Sequence, residues 1–260
     1  MGKQTRRGIM GTALLSVLTG AIQCPAVATA QKRRVTQSEL DKAIRCHELW
    51  LMDISKGQRA VFNECDLSGL SFHPAGSRID LTGADFTQAI LEGITGNEIL
   101  FKCASLQGAD LRYSRIDSPI FANSNLARSL CGNVSWGKST RIELSRDFMI
   151  DGPSATFMNC YLGDSSFEDA EICGFFSSCT FHNGNLRRIS FKGSRFSGNR
   201  TYAETSFAGC DLTDATFRET IIDGVNFNKA NLSGVDFENA TLGRDIRGLA
   251  EVIVRVRSDN

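Results

Sequence analysis

A large apolar residue recurs at every fifth position along most of this chain. The clearest run comprises Phe207, Leu212, Phe217, Ile222, Phe227, Leu232, Phe237 and Leu242. A small residue stands two positions before most of these large residues, and the position between them is often Asp or Asn. A spacing of five matches neither the period of a helix nor that of a strand. The chain must therefore turn a corner after each short extended segment, which predicts a solenoid.

Ala84–Gln88 (ADFTQ) and Ala230–Gly234 (ANLSG) show the repeated unit in full. Through these units, residues 60–243 resemble the pentapeptide-repeat proteins, whose motif is A(D/N)LXX. The resemblance implies an all-β solenoid, namely a right-handed quadrilateral parallel β-helix with four pentapeptides in each coil. It implies little about function, because the family is functionally mixed and the motif itself is scaffold.

The spacing of five shifts by one residue in four places, and the four shifts cancel between Phe62 and Leu242. They fall between Phe72 and Leu81, Trp136 and Phe157, Ile172 and Phe181, and Phe196 and Phe207. The return to the same frame predicts one uninterrupted solenoid of about nine coils. Residues 137–153 are irregular, with Ile142 as the one clear inward candidate, and form either a coil or an outward loop.

Four steps of five in each coil sort the large residues into predicted columns inside the solenoid. One column comprises Trp136, Phe157, Phe176, Phe196, Phe217 and Phe237. A second comprises Leu67, Phe86, Leu106, Leu126, Phe167, Leu186, Phe207 and Phe227. Neighbouring coils should lie roughly 4.8 Å apart, so the rings within a column should stack.

Residues 1–30 differ from the repeat and have the pattern of a bacterial secretory signal peptide. Lys3, Arg6 and Arg7 give a basic start, and Gly8–Ile22 is an uncharged apolar run that is too short for a comfortable membrane span. Ala28–Ala30 (ATA) then offers a cleavage site with small residues at both ends. We therefore expect cleavage after this site and no membrane span in the mature chain.

Two export routes are open for this signal sequence. Thr5–Met10 (TRRGIM) resembles a twin-arginine export signal, and ordinary secretion is the alternative. Either route leads to the same predicted location, which is the periplasm or the extracellular medium.

Residues 31–59 are predicted to form an N-terminal helical cap. Thr36 and Glu39 have the spacing of a capping box, which places a helix over about 36–53. The residues at helical spacing behind it are Leu40, Ala43, Ile44, His47 and Leu51. An open β-helix exposes strand edges at its first coil, so we interpret this helix as a capping plug on that end. A partner-binding helix is the alternative.

The tail, residues 244–260, leaves the repeat after Leu242. Val252, Val254 and Val256 alternate with other residues, which favours a strand that covers the last coil. The resemblance offers a second interpretation, because the C-terminal end can be a dimer surface in this family. The tail is thus predicted to be either a covering strand or a homodimer contact.

The charge balance argues against nucleic acid as a partner. The whole chain has a formal charge of zero, and removal of the three signal-peptide cations leaves the mature chain at −3. Such a value favours neither a basic nor a strongly acidic binding surface. A local basic cluster comprises Arg187, Arg188, Lys192, Arg195 and Arg200. We interpret this cluster as a solvated face.

Nine cysteines in an exported chain would ordinarily suggest disulfide bonds. Most instead occupy repeat positions that face inward, namely Cys65, Cys131, Cys160, Cys179 and Cys210. A free cysteine there behaves as a small apolar residue, so we expect core thiols. Cys160 and Cys179 lie close to one coil apart, which leaves a bond between them open. No cysteine or histidine spacing indicates a metal site.

The sequence contains no recognisable catalytic constellation. His47, His73 and His182 have no evident partner and are interpreted as surface histidines. The recurrent Asp and Asn residues are expected to hydrogen-bond turn backbone rather than to act as acids. No phosphate loop or nucleophile elbow is present. We predict no catalytic, cofactor-binding or metal-binding residues.

These observations predict an exported, non-catalytic scaffold or protein-interaction module with an unknown protein partner. The alternative comes from the resemblance, which includes DNA-mimicking topoisomerase (gyrase)-binding proteins of the cytoplasm. That function would require a cytosolic location and a strongly acidic surface. The signal sequence and the near-neutral charge both count against it.

Overall fold

The computed structural model describes residues 32–72, 78–137, 140–145, 148–152, 155–197, 204–243 and 245–249. The predicted signal peptide, His73, Arg200 and the end of the tail lie outside these residues. The described part contains one helix, α1 (Gln37–Met52), followed by short strands. The strands are β1 (Ser71–Phe72), β2 (Ile79–Asp80), β3 (Thr95–Gly96), β4 (Ile99–Leu100), β5 (Arg115–Ile116), β6 (Ile120–Ala122), β7 (Ser135–Trp136), β8 (Thr140–Ser145), β9 (Phe148–Gly152), β10 (Ala155–Met158), β11 (Glu171–Ile172), β12 (Gly174–Ser177), β13 (Arg195–Ser197), β14 (Thr205–Ser206), β15 (Ile221–Ile222), β16 (Val225–Asn226) and β17 (Thr241–Leu242).

The predicted parallel β-solenoid is confirmed. Two of its faces are sheets of parallel strands, in the orders β1-β3-β5-β7-β11 and β17-β15-β13-β12-β10-β6-β4-β2. The other two faces are ladders of single bridges, one through Asp85, Ser105 and Asn125 and one through Ile90 and Asp110. Each turn of the chain therefore visits four faces, as four pentapeptides per coil require.

The solenoid makes about seven turns, so the expectation of nine coils is wrong. One ladder passes through Val61, Asp85, Ser105, Asn125, Tyr161, Thr180, Ser206 and Asn226. These rungs span 165 residues, whereas seven regular turns of 20 would span 140. The excess of 25 residues is a multiple of five, so the insertions return the sequence to its original frame. The preserved frame therefore concealed insertions rather than proving an uninterrupted repeat.

Each predicted column contains runs of residues that do stack on one face, but runs from different faces were assigned to the same column. Phe157 is in register with Phe176 and Phe196, and the Phe217 ring stacks on Phe237 at 5.2 Å. Trp136, however, is in register with Ile116 and Ile172, not with Phe157. In the second column, one face holds Phe86, Leu106, Leu126, Phe207 and Phe227. The other members of that column, Leu67, Phe167 and Leu186, lie on a different face. The errors begin where turns of irregular length change the face that the chain has reached.

The longest turn contains a hairpin in place of a regular coil. Strands β8 and β9 pair antiparallel, with Ile142 opposite Ile150, and form a separate two-stranded sheet among the described strands. They lie between β7 and β10, so the turn from Asn125 to Tyr161 has 36 residues. The outward-loop alternative for 137–153 is therefore closer to the structure than a coil.

The corners explain why Asp and Asn recur before the large residues. The backbone N–H of Ala89 donates to the Phe86 carbonyl at 3.0 Å, and Gln88 between them has a φ of 56°. This is the geometry of a type II turn. The Asp85 carboxylate accepts a hydrogen bond from the Thr87 N–H at 2.9 Å, and Asp211 does the same for Thr213 at 3.1 Å. The structural role predicted for these acids is confirmed.

Aromatic rings fill the interior. The Phe176 ring stacks on Phe157 at 4.7 Å and on Phe196 at 4.8 Å, with interplanar angles of 6° and 13°. Edge-on contacts with neighbouring faces link these stacks, as between Phe176 and Phe191 at 5.5 Å. Offset stacks and edge-on contacts are the arrangements that aromatic pairs prefer. The core is thus continuous from one end of the solenoid to the other.

Candidate interaction surfaces

Some of the described acidic residues on the solenoid faces form ion pairs with arginine or lysine. Arg112 binds Asp110 at 2.6 Å, and Arg218 Nη1 binds Asp236 at 3.3 Å. Each of these pairs is partly exposed to solvent, so each contributes little to stability. These pairs place positive charge beside part of the acidic surface.

The basic cluster shows the same pairing. Arg188 binds Asp169 at 2.6 Å and Glu168 at 2.7 Å, and Lys192 binds Glu219 at 3.3 Å. The hydrogen bond from Arg188 lowers the pKa of Asp169. This surface therefore has the character of a solvated, ion-paired face.

Helix α1 caps the first turn, as predicted. Thr36 and Glu39 form the capping box, with the Glu39 carboxylate accepting from the Thr36 N–H at 2.8 Å. The buried stripe of the helix comprises Leu40, Ala43, Ile44 and His47. Gln58 N–H donates to the Cys46 carbonyl at 3.0 Å and joins the end of the helix to the chain that enters the solenoid.

His47 is fully buried, so its interpretation as a surface histidine is wrong. Its Nδ1 accepts a hydrogen bond from the Ala60 N–H at 3.0 Å, whereas Nε2 is buried and makes no hydrogen bond with a described residue. Burial lowers the pKa of His47; Arg59 acts in the same direction, and Asp80 and the Thr82 carbonyl oppose it. The position of His47 on the helical stripe behind Ala43 and Ile44 was the sequence signal for burial. His182, by contrast, is exposed.

Acid should loosen the cap through His47. Because its pKa in the folded chain lies below the ordinary 6.5, the unfolded chain binds the proton more tightly. The free energy of unfolding should therefore fall as the pH drops below about 6.5. Urea unfolding at pH 7.5 and 5.5 measures this loss, which His47→Asn should reduce and His182→Asn should leave intact. An equal loss in wild type and His47→Asn would contradict the assignment.

Exposed apolar residues lie close together in sequence at the C-terminal end of α1. It comprises Leu49, Leu51, Met52 and Ile54. Met52 is 80% exposed, Ile54 77% and Leu49 46%. Single exposed apolar residues are common, but several neighbouring ones indicate an interaction surface. We call these four residues the apolar cluster.

The opposite end of the solenoid is also incompletely covered. Leu232, Val235 and Leu242 occupy inward positions of the last turn but are only partly buried. Leu249 packs on this end and is buried, and Arg247 bridges to Asn226. The predicted covering strand at Val252–Val256 lies outside the described residues.

The buried cysteines are core thiols at four of the predicted positions. Cys131, Cys160, Cys179 and Cys210 are free and buried. Burial raises the pKa of Cys131 and of Cys210 to about 12, which disfavours the reactive thiolate. Cys65 is buried but disulfide-bonded, so the prediction of a free thiol is wrong for that residue.

Cys160 and Cys179 lie on adjacent turns without a disulfide bond between them. The Cys160 thiol donates to the Phe121 carbonyl at 3.0 Å, and the Cys179 thiol to the Phe157 carbonyl at 3.4 Å. Burial raises the pKa of Cys179 well above its ordinary value. The hydrogen bond from Cys179 acts in the opposite direction on Cys160 and lowers the pKa of that thiol. Both sulfurs are buried and have hydrogen-bond partners, so burial is what protects them from reagents.

Alkylation of the folded protein should label exposed Cys103 quickly and leave Cys160 and Cys179 unmodified until the chain is unfolded. The reason is that a thiol must be both accessible and ionised to react. Peptide mass spectrometry before and after denaturation measures the labelling. Recovery of Cys160 and Cys179 in one linked peptide would contradict the free-thiol state.

The described ranges contain no group of three metal-ligating side chains placed to hold an ion. Nor does α1, the helix in the described part of the chain, have the length and apolar character needed to cross a membrane. Among the described residues, the features that depart from the repeat are the capping end, the β8–β9 hairpin and the last turn.

Comparison with known proteins agrees with the observed fold. The family model for pentapeptide repeats matches residues 79–114 and 203–244 in 8 copies. No curated protein sequence matches the chain.

Several solved structures are similar over most of their length. HetL from the cyanobacterium Nostoc sp. strain PCC 7120, a pentapeptide repeat protein involved in heterocyst differentiation regulation, is 17% identical, with 74% of this chain and 92% of HetL covered and a TM-score of 0.35. Full-length QnrB1, a plasmid-mediated fluoroquinolone resistance protein, is 15% identical, with coverages of 77% and 87% and a TM-score of 0.30. Rfr23 from the cyanobacterium Cyanothece 51142 is 13% identical, with coverages of 63% and 90% and a TM-score of 0.16. Similarities this low establish neither a shared partner nor a shared activity.

Proposed function

We propose that this chain, which belongs to the pentapeptide-repeat family, is an exported, non-catalytic scaffold that binds a partner protein at its capping end. Members of this family are generally structural or interaction scaffolds. The observation that carries the proposal is the apolar cluster, because Met52 and Ile54 are almost fully exposed beside a helix whose other side is buried.

The regular faces of the solenoid are less suited to binding a partner than the capping end is. Their Asp and Asn side chains already accept hydrogen bonds from turn backbone, as Asp85 does from Thr87. Their charges are paired across turns, as in the ion pair of Arg188 with Asp169. The apolar cluster is different, since burial of its side chains by a partner would remove apolar area from water.

Capture with a tagged mature chain tests the proposal. The variant Leu49→Ser/Met52→Ser/Ile54→Ser should lose a partner that the wild type retains from the native envelope fraction. The matched control is Tyr113→Ser/Leu130→Ser/Tyr161→Ser, which removes exposed apolar residues from the coil faces and should retain the partner. Equal capture by the wild type and the cluster variant would refute binding at the capping end.

Export is part of the same proposal and has its own test. The basic start, the apolar run and the Ala28–Ala30 site support cleavage before Gln31. N-terminal sequencing of protein from the periplasmic fraction should begin near Gln31. A cytoplasmic protein with an intact Met1 would reject export and favour the topoisomerase-binding alternative.

Self-association through the last turn is a second contact that the structure supports. Leu232, Val235 and Leu242 are partly uncovered there, and the outer edge of β17 has no neighbouring strand among the described residues. Apolar side chains and an unpaired strand edge together favour pairing with another chain. Sedimentation velocity of the mature chain should detect a dimer that Leu242→Arg disrupts.

A further inference from the structure

A cavity of about 300 Å³ lies between α1 and the start of the first turn. Helix residues Glu39, Lys42 and Ala43 line one side, and the segment 58–62 lines the other. Its volume is at the lower end of the range typical of small-molecule sites, roughly 300–1,000 Å³. The cavity is distinct from the apolar cluster, whose residues do not line it.

The charged residues around the cavity are three cations and one anion. Arg33 Nη1 donates to Glu39 Oε1 at 2.8 Å, and Glu39 also accepts from the Thr36 N–H. The hydrogen bonds from Thr36 and Arg33 lower the pKa of Glu39 to about 2, so its carboxylate stays ionised and paired. Arg33 and Glu39 thus neutralise each other.

Lys42 and Arg59 leave an excess of positive charge at the cavity. The Lys42 ammonium group makes no hydrogen bond or ion pair with a described residue. Arg59 donates its Nε to the Gly83 carbonyl at 2.6 Å, which holds the side chain in place, but no carboxylate among the described residues pairs with its guanidinium. A held guanidinium without an anionic partner is a donor for a carboxylate or phosphate oxygen.

The rest of the lining includes apolar surface. Val61 lines the cavity and is partly exposed, whereas Phe62, Ala43 and Ala60 are buried. Inorganic phosphate would satisfy the cations but leave Val61 and the aliphatic stems of Lys42 and Arg59 in water, whereas a molecule with an apolar tail would cover them.

We propose that the cavity binds a small carboxylate with an apolar tail, its carboxylate between Lys42 and Arg59 and its tail against Val61. The ligand would join α1 to the first turn, because its two ends contact both walls. Binding to the folded cap should therefore also raise the temperature at which α1 melts.

Calorimetric titration of the mature chain with octanoate tests the proposal, with octanol and inorganic phosphate as comparison probes. Octanoate should bind at least about tenfold more tightly than either, because it alone has both the charge and the tail. Its affinity should fall as salt is added.

Lys42→Met/Arg59→Met should weaken octanoate binding by at least about tenfold, since each cation donates a charge-assisted hydrogen bond. Both replacements keep an apolar stem and affect exposed residues, so the helix signal should be unchanged. The matched control is Arg45→Met, an exposed cation of α1 that does not line the cavity and should leave binding unaltered.

Three results would overturn the proposal. The first is equal binding of octanol and octanoate, and the second is unchanged octanoate binding in Lys42→Met/Arg59→Met. The third is loss of octanoate binding in Leu49→Ser/Met52→Ser/Ile54→Ser while Lys42→Met/Arg59→Met still binds it. The last would place the tail on the apolar cluster instead. Failure of partner capture would not affect these measurements, because they require only the folded cap.

Discussion

Replacing Phe217 by alanine should lower the free energy of unfolding by roughly 3–5 kcal/mol. The ring is fully buried and contacts the rings of Phe191 and Phe237, each at 5.2 Å. The loss has two sources, the apolar area returned to water and the cavity left among rings that are held by neighbouring turns. Urea unfolding followed by far-ultraviolet circular dichroism measures the change.

The adjacent residue provides the control. The Arg218 side chain is 42% exposed, and its contacts are ion pairs with Asp236 and Glu238. Exposed pairs of this kind contribute about 0–1 kcal/mol, so Arg218→Ala should cost no more than that. Comparable losses from Phe217→Ala and Arg218→Ala would show that the assignment of inward and outward positions is wrong.

Gly57→Ala should detach α1 from the solenoid. A Cβ atom at this position would lie 2.2 Å from both the Cys46 carbonyl oxygen and the Trp50 nitrogen. These are backbone atoms of the helix, so no side-chain movement can relieve the overlap. The hydrogen bond from Gln58 to Cys46 would be lost as well. We expect the cap to lose about 1–3 kcal/mol of stability, the typical cost of overpacking.

Limited proteolysis and the helical part of the circular dichroism spectrum measure this detachment. Gly57→Ala should become rapidly cleaved near residues 53–58, while the β signal of the later turns persists. Lys56→Ala is the control, because Lys56 is exposed and pairs only with Asp53 at 3.1 Å. A Gly57→Ala protein as resistant as Lys56→Ala would mean that the helix does not pack against this glycine.

The repeat made the local structure of the solenoid predictable. The spacing of five identified which side chains face inward, including Phe86, Leu106 and Phe217, and it explained the Asp and Asn residues at the corners. The assembly of those residues into columns was less predictable. Turns of irregular length between Phe72 and Leu81, between Trp136 and Phe157 and between Phe196 and Phe207 change the face that the chain reaches. Together with the turn that is one residue short, their departures from 20 residues total 25, a multiple of five. Periodicity alone cannot reveal such a change.

The capping end was predictable as an element but not as a surface. The capping box and the stripe from Leu40 to His47 predicted the helix and its buried side. The close approach of Gly57, the cavity beside Lys42 and the exposure of Met52 depend on how the helix sits on the first turn. That packing geometry has no signature in the spacing of residues.

Site-specific photo-crosslinking in intact cells tests most directly whether the capping end binds a partner. A photoreactive residue at Met52 or Ile54 should give one discrete, heavier adduct after illumination, because both side chains are exposed within the apolar cluster. The same residue at Tyr113 or Tyr161, which are exposed on the coil faces, should give none. No adduct at Met52 and Ile54, or the same adduct from all four positions, would contradict a partner site at the capping end.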